Sequence, residues 1–166
     1  MRKVLIALVT ISLLFISGCS QTNKDVAIEY LAEKGYDVDT YEGSGSMYQL
    51  TKEKIIDEFP IWALQTFEPG DYIGKEIETE YFRVDNHPLE NWSNNGGVSA
   101  NGNPLVSIIF VDGKPIGGYA IPNLDDDIDL LGYSTYDIDG KTLEEVHAIE
   151  DYPSWFDAWM EKYNEK

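Results

Sequence analysis

Two histidines are the side chains of this 166-residue sequence best suited to acid–base chemistry. His87 precedes Pro88, which restricts it to extended backbone between a predicted strand and a long polar segment. His147 follows Glu144 on a predicted helix, and we expect it to face solvent. Neither is accompanied by a GxSxG, SxxK or HExxH motif, so we assign no catalytic residue. His87 is kept as a candidate ligand contact, with hydrogen bonding to loop backbone as its alternative role.

Closely spaced carboxylates could bind calcium, because this hard cation takes several oxygen ligands. Asp125, Asp127 and Asp129, with Asp126 between them, form such a cluster. An EF-hand needs a bidentate glutamate at the twelfth loop position, where counting from Asp125 gives Tyr136. We therefore assign no metal and no other cofactor. The three aspartates are kept only as candidates for a weak calcium site, beside the plainer interpretation of a solvated acidic loop.

Aromatic side chains could bind a ligand by stacking, but most of the 4 Trp and 11 Tyr are needed for the core. Trp92 is the exception, because it lies in an asparagine-rich segment with no obvious local core. We take it as a candidate contact residue. Tyr72 and Lys75 border the glycine of a Tyr-Ile-Gly-Lys sequence and are further candidates for a ligand or partner site, although this glycine also fits a simple turn.

The only cysteine of the chain follows a sequence typical of secretion signals. Arg2 and Lys3 precede an apolar run over residues 4–16, which is long enough for a signal peptide and short for a membrane-spanning helix. The next residues, Ile16-Ser17-Gly18-Cys19, resemble the lipobox of bacterial lipoproteins, in which the cysteine receives a diacylglyceryl group before cleavage on its N-terminal side. The alternatives are a plain signal peptide with an unmodified cysteine, or a short membrane anchor.

We therefore expect a lipoprotein signal peptide over residues 1–18, a lipidated tether over 19–23 and a single domain over 24–166. Arg2 and Lys3 leave with the signal peptide, so 10 basic residues face 30 acidic ones and the mature net charge is −20. Such a chain repels phosphates, which argues against nucleic acid as a partner. Its expected partners are the lipid bilayer, through the acylated cysteine, and a cationic molecule or membrane protein.

The pattern of apolar residues predicts an α+β fold, with a small antiparallel sheet flanked by an N-terminal helix and C-terminal helices in a single domain. Predicted helices cover residues 24–34 with Asn23 as N-cap, a short segment after Thr51, a capping box at Thr142–Glu145, and a last helix that begins near Ser154.

Alternation and β-branched residues predict the strands. They cover residues 36–41, 77–84, 105–111, 115–121 and 132–138. Asp112-Gly113 is typical of a hairpin turn, and Gly117-Gly118 indicates a bulge or a close backbone approach. We expect residues 43–46 to be flexible. The long segment 86–104 is expected to be mobile or functional.

Three segments of the sequence are similar to those of a known family: Tyr72-Ile73-Gly74-Lys75-Glu76-Ile77, Phe82-Arg83-Val84-Asp85-Asn86-His87-Pro88-Leu89 and Val111-Asp112-Gly113-Lys114-Pro115-Ile116-Gly117-Gly118-Tyr119. Together with Gly35-Tyr36-Asp37-Val38, they resemble an uncharacterised family of small lipoproteins from Gram-positive, spore-forming bacteria, catalogued as a domain of unknown function. The resemblance spans roughly residues 26–122. It implies a small α+β domain on a lipid anchor and transfers no activity.

These observations favour a membrane-anchored extracytoplasmic lipoprotein that acts as a non-catalytic binding or interaction module at the cell envelope. The expected contact surface combines segment 86–104 with the sheet edge near Pro115–Tyr119. One alternative is an envelope enzyme or hydrolase inhibitor with a site near His87. Another is a weak calcium-dependent module.

Overall fold

One antiparallel sheet organises the protein. The computed structural model describes residues 21–124 and 135–164. Within them the strands are Asp37–Ser44 (β1), Tyr48–Gln49 (β2), Glu76–Asp85 (β3), Leu105–Val111 (β4), Lys114–Ile121 (β5) and Tyr136–Asp137 (β6). The helices are Asn23–Glu33 (α1), Lys52–Asp57 (α2), Phe59–Ala63 (α3), Leu143–His147 (α4) and Tyr152–Asn164 (α5), with 3₁₀ turns at Pro69–Tyr72 and Pro88–Asn91.

The strand order is β1-β3-β4-β5-β6, and β2 also pairs with β3. All of these pairings are antiparallel. β4 and β5 form the predicted hairpin, in which Asp112 and Gly113 both have positive φ, at 51° and 71°. A register shift follows Ile109, where the bulge in the hairpin lies. The middle of the chain is thus a meander that contains the predicted hairpin.

The sheet is covered on both faces, because alternate residues of its strands point to opposite sides. On β3, Phe82 and Val84 share a buried cluster with Leu31 of α1. Ile77 of the same strand belongs to the other cluster, with Ile55 of α2 and residues of α3 and α5. The fold is therefore the predicted α+β domain, with α1 on one face of the sheet and α2, α3 and α5 on the other.

Capping side chains fix where the helices begin. Thr51 accepts a hydrogen bond from Lys54 N at 3.2 Å, as predicted. Thr142 and Glu145 form the predicted capping box. The N-cap of α1 is Thr22 rather than Asn23, because Thr22 and Asp25 form a reciprocal capping box there. Asn23 instead lies in the first turn of α1, where its side chain donates to Glu78 Oε2 of β3 at 3.0 Å.

β1 extends further than predicted. The expectation that residues 43–46 are flexible is wrong for Gly43 and Ser44, which pair with Tyr81 and Glu80 of β3. Ser44 Oγ donates to Glu80 Oε2 at 2.9 Å, and Glu80 is buried, so its carboxylate needs this partner. Glycine and serine therefore continue the strand because tertiary pairing outweighs their low strand propensity.

The last helix shows the predicted apolar stripe. It begins at Tyr152, two residues earlier than expected. The residues of the stripe are less exposed than the other residues of the helix: Trp155, Phe156, Trp159, Met160 and Tyr163. Trp159 and Tyr163 pack on the cluster under the sheet. Trp155 and Phe156 contact Phe59 of α3. The aromatic residues of α5 thus attach this helix to the rest of the domain.

Candidate functional site

The residues singled out in the sequence do not form one site. Tyr72 and Lys75 precede β3, whereas His87 and Trp92 follow it. β3 has 10 residues, which corresponds to a separation of about 30 Å along the strand. Lys75 forms an exposed ion pair with Asp112, with Nζ 3.0 Å from Oδ2. Tyr72 packs edge-on against Phe67, with ring centroids 5.0 Å apart.

His87 is buried, at 2% exposure, and both of its ring nitrogens face backbone groups. Leu89 N donates to Nδ1 at 3.1 Å. Nε2 lies 3.1 Å from the Ile138 carbonyl and therefore donates to it. Burial lowers the pKa of His87, which favours the neutral ring that this pair of hydrogen bonds requires. The imidazole thus caps the 3₁₀ turn Pro88–Asn91 and ties it to the end of β6.

His147 does not face solvent, and that expectation is wrong. Its Nε2 donates to the Ala63 carbonyl at 2.6 Å, and its ring lies 5.4 Å from that of Trp155. The residue belongs to α4, whereas Ala63 ends α3. His147 therefore fastens α4 to α3. A helix of five residues could not show this from its own sequence, since the acceptor lies 84 positions away.

Trp92 has a local core after all. The 3₁₀ turn before it brings the indole against the buried cluster on the α1 side of the sheet. Its Nε1 donates to the Tyr136 hydroxyl of β6. The ring is half-buried, so part of it is still accessible. Trp92 thus joins segment 86–104 to the last strand.

The rest of segment 86–104 is held by hydrogen bonds. Asn94 Oδ1 accepts from Gly96 N at 2.9 Å and from Val98 N at 3.0 Å. Further along, Asn101 N donates to the Asn123 carbonyl at 2.7 Å. The asparagines thus build turns, as their short polar side chains allow.

The two parts of the expected contact surface join β4 at opposite ends. Segment 86–104 leads into Leu105, which pairs with Ile121, whereas Pro115 pairs with Phe110. The two segments therefore do not form one continuous sheet edge.

Several predicted sites lie outside the described residues. They are the signal peptide 1–18, Cys19, and the calcium candidates Asp125, Asp127 and Asp129. Within residues 21–124 and 135–164, no group of three or more His, Cys, Asp or Glu is placed to hold a metal ion. No helix in this part of the chain is long and apolar enough to cross a membrane.

A cleft of about 330 Å³ lies among α3, α4, the start of α5 and β6. Its volume is within the range of ligand pockets, at the lower end. The lining residues are Phe59, Pro60, Leu64, Thr135, Tyr136, Thr142, Leu143, Glu144 and Tyr152. Most of this lining is aromatic or aliphatic. The cleft therefore offers an apolar wall with a few polar groups, the usual composition of a site that binds a small ligand.

The walls of the cleft are held in place by contacts outside it. Phe59 packs edge-on against Phe156, with ring centroids 5.1 Å apart. Tyr152 stacks on the same Phe156 at 6.0 Å. On the opposite wall, Thr142 N donates to Glu145 Oε2 at 2.8 Å and so fixes the start of α4. These contacts and the His147 hydrogen bond give the lining side chains a defined arrangement.

A smaller polar cavity of about 100 Å³ lies between the sheet and α2–α3. Three tyrosines line it, namely Tyr48, Tyr81 and Tyr119. Tyr48 Oη donates to Glu58 Oε2 at 3.0 Å. Burial raises the pKa of Tyr119 to about 12, so its hydroxyl stays protonated at neutral pH. Because this cavity is much smaller than the cleft, we take the cleft as the candidate functional site.

Sequence reasoning did not identify the cleft, because its residues come from four separate elements. In the sequence, Pro60 is expected to end the short helix that follows Thr51, and Thr142 and Glu144 belong to a predicted capping box. Tyr152 lies before the predicted start of the last helix. None of these residues has a spacing that predicts a shared pocket, and only the tertiary fold brings them together.

Comparison with known proteins identified no relative: no family model, no curated protein and no solved structure matches this chain.

Proposed function

We propose that the protein is a lipid-anchored, extracytoplasmic binding protein without catalytic activity, and that the cleft among α3, α4, α5 and β6 is its ligand site. The observation that carries this proposal is the cleft itself, which is open to solvent and combines aromatic and aliphatic side chains with polar ones. The proposed anchor rests on the lipobox-like residues that end at Cys19.

The roles of the two histidines support binding rather than acid–base chemistry. Both ring nitrogens of His87 are engaged by backbone groups. The Nε2 of His147 is engaged by the Ala63 carbonyl. A general base must reach the proton that it removes, and both ring nitrogens of His87 are already bound to the protein. The ring of His147 packs beside Trp155 and does not line the cleft. Both imidazoles therefore stabilise the fold, which fits a protein whose site binds a ligand.

The anchor is tested by a Cys19→Ser substitution in the full-length protein, expressed in a Gram-positive host. We expect the native protein to sediment with membranes and to incorporate labelled fatty acid, because acyl chains gain membrane affinity from buried methylenes. The Cys19→Ser protein should incorporate no label, whereas the neighbouring Ser20→Ala control should behave as the native protein. Equal labelling of the Cys19→Ser protein would contradict the anchor.

The ligand site is tested by photo-crosslinking in whole cells. A photoreactive phenylalanine analogue replaces Tyr152 in one variant and Ile73 in the other, since both residues are 41% exposed and only Tyr152 lines the cleft. We expect a reproducible adduct from position 152 that is absent from position 73. The same adduct pattern at both positions, or none at 152, would contradict a ligand site in the cleft.

A further inference from the structure

We infer that the cleft binds a basic side chain, lysine or arginine, of an extracytoplasmic peptide. This inference rests on the proposed function and adds the chemistry of the ligand. It combines three features of the cleft: the charge of its lining, the aromatic rings on its wall and its volume.

The charge of the cleft favours a cation. Among the described residues that line the cleft, Glu144 is the only charged one, and none is Lys, Arg or His. The surrounding segment 135–152 has six acidic residues and one lysine. The whole chain has a net charge of −18. A cationic ligand therefore approaches a region of negative potential, whereas an anionic peptide is repelled.

Two aromatic rings of the lining can contact the cation directly. Phe59 and Tyr152 both belong to it, and Phe156 holds both rings from behind. A cation over the face of an aromatic ring is attracted by the ring quadrupole. Because the rings are already fixed by their packing, binding would not have to order them.

The volume and polarity of the cleft match one long side chain. About 330 Å³ is at the lower end of the range for ligand pockets. Lysine and arginine combine an apolar stem with a charged head, so the stem can lie on apolar residues such as Leu64 and Leu143. Glu144, the acidic residue of the described lining, offers the head a carboxylate. The peptide backbone stays outside, on the open side of the cleft.

The test compares three acetylated, amidated tripeptides, Gly-Lys-Gly, Gly-norleucine-Gly and Gly-Glu-Gly, with the full-length protein in detergent. Norleucine keeps the stem of lysine and lacks the ammonium group. Binding is measured by NMR chemical-shift titration. We expect the lysine peptide to bind, the norleucine peptide to bind roughly two- to fivefold more weakly, as for loss of an exposed ion pair, and the glutamate peptide not to bind.

Two variants connect this preference to the cleft. Glu144→Gln should weaken binding of the lysine peptide roughly two- to fivefold and leave norleucine binding unchanged. Tyr152→Leu should have the same selective effect, because it keeps an apolar side chain and removes the ring. Glu161→Gln is the matched control, an exposed acidic residue of α5 outside the cleft lining, and should change neither affinity.

The outcomes separate this inference from the proposed function. If norleucine binds as tightly as lysine and Glu144→Gln has no effect, the cleft is a site for an apolar ligand and the inference of a basic side chain is wrong. If none of the peptides binds while position 152 still forms a specific crosslink, the ligand is not a basic peptide. If there is neither binding nor crosslink, the proposed ligand site fails as well.

Discussion

The side-chain amide of Gln65 forms the two backbone hydrogen bonds with Gly118 that a neighbouring strand would otherwise form. Gly118 N donates to Gln65 Oε1 at 3.1 Å, and Gln65 Nε2 donates to the Gly118 carbonyl at 3.1 Å. Among the described residues, β6 pairs with β5 at Tyr119 and Ala120, so Gly118 lies where that pairing has ended. Both residues are buried, and the amide therefore satisfies two backbone groups that water does not reach.

Replacement of Gln65 by leucine should destabilise the domain by about 2–4 kcal/mol, because two buried backbone groups lose their partners. Gln49→Leu is the matched control, since its Nε2 also donates to a backbone carbonyl, that of Gly74, but at the exposed surface. We expect that control to stay within about 0.5 kcal/mol. Urea unfolding followed by tryptophan fluorescence measures both, and an equal effect of the two substitutions would contradict the role of Gln65.

His87 should make stability depend on pH. Burial lowers its pKa in the folded state below the ordinary value of about 6.5, so the unfolded chain takes up a proton first as the pH falls. The contribution of His87 to folding stability is therefore complete above about pH 6.5, the pKa in the unfolded chain, and decreases as the pH falls below it. His87→Asn keeps an acceptor for Leu89 N and does not titrate. The stability difference between the native protein and this variant should be larger at about pH 8 than at about pH 5.5, as measured by urea unfolding. A difference independent of pH would show that the folded pKa is not lowered.

The hydrogen bond between Trp92 and Tyr136 should show as an energetic coupling. Trp92→Phe and Tyr136→Phe each remove one partner, and the double substitution removes both. We expect a coupling energy of about 1 kcal/mol in a double-mutant cycle, the usual net value of a hydrogen bond. Additive effects of the two substitutions would mean that the Trp92 indole is held against β6 by packing alone.

The hydrogen bond from His147 to Ala63 should be needed for ligand binding, although His147 does not line the cleft. His147→Phe keeps a ring beside Trp155 and leaves the Ala63 carbonyl without its donor, so we expect a loss of about 1–3 kcal/mol in stability. Binding of the lysine peptide should weaken, because α4 brings Leu143 and Glu144 to the cleft. His147→Gln retains an N–H donor and should restore part of both. If His147→Phe binds the peptide normally, His147 does not position the cleft.

The fold was largely predictable because its signals are local. The β-prone run over residues 105–111 coincides with β4, and Asp112-Gly113 forms the hairpin turn that its residue types favour. Thr51 and Thr142 cap the helices that follow them. Each of these features depends on a few consecutive residues, so the sequence contains all that is needed to predict them.

The contacts that were missed are long-range. Ser44 continues β1 because Glu80 receives its hydroxyl, and His147 turns inward because Ala63 offers a carbonyl. Glu80 lies on a different strand from Ser44, and Ala63 lies on a different helix from His147. The cleft is the extreme case, since Phe59 and Tyr152 meet only after the whole chain has folded. Periodicity indicates which side of a helix is buried, but it does not indicate which side chains from other elements it meets.

The two-sided covering of the sheet determines how an anchored domain would be oriented. α1 begins at Asn23, four positions after Cys19, and packs on one face. The cleft lies at the β6 edge of the sheet: α3 and α5, which pack on the other face, contribute Phe59 and Tyr152, whereas Tyr136 of β6 belongs to the cluster on the α1 face. With the anchor that we propose, the lipid would be attached next to the layer formed by α1, and the cleft would open beside the last strand of the sheet. A peptide segment of a larger extracytoplasmic protein would then meet the cleft at this edge of the domain.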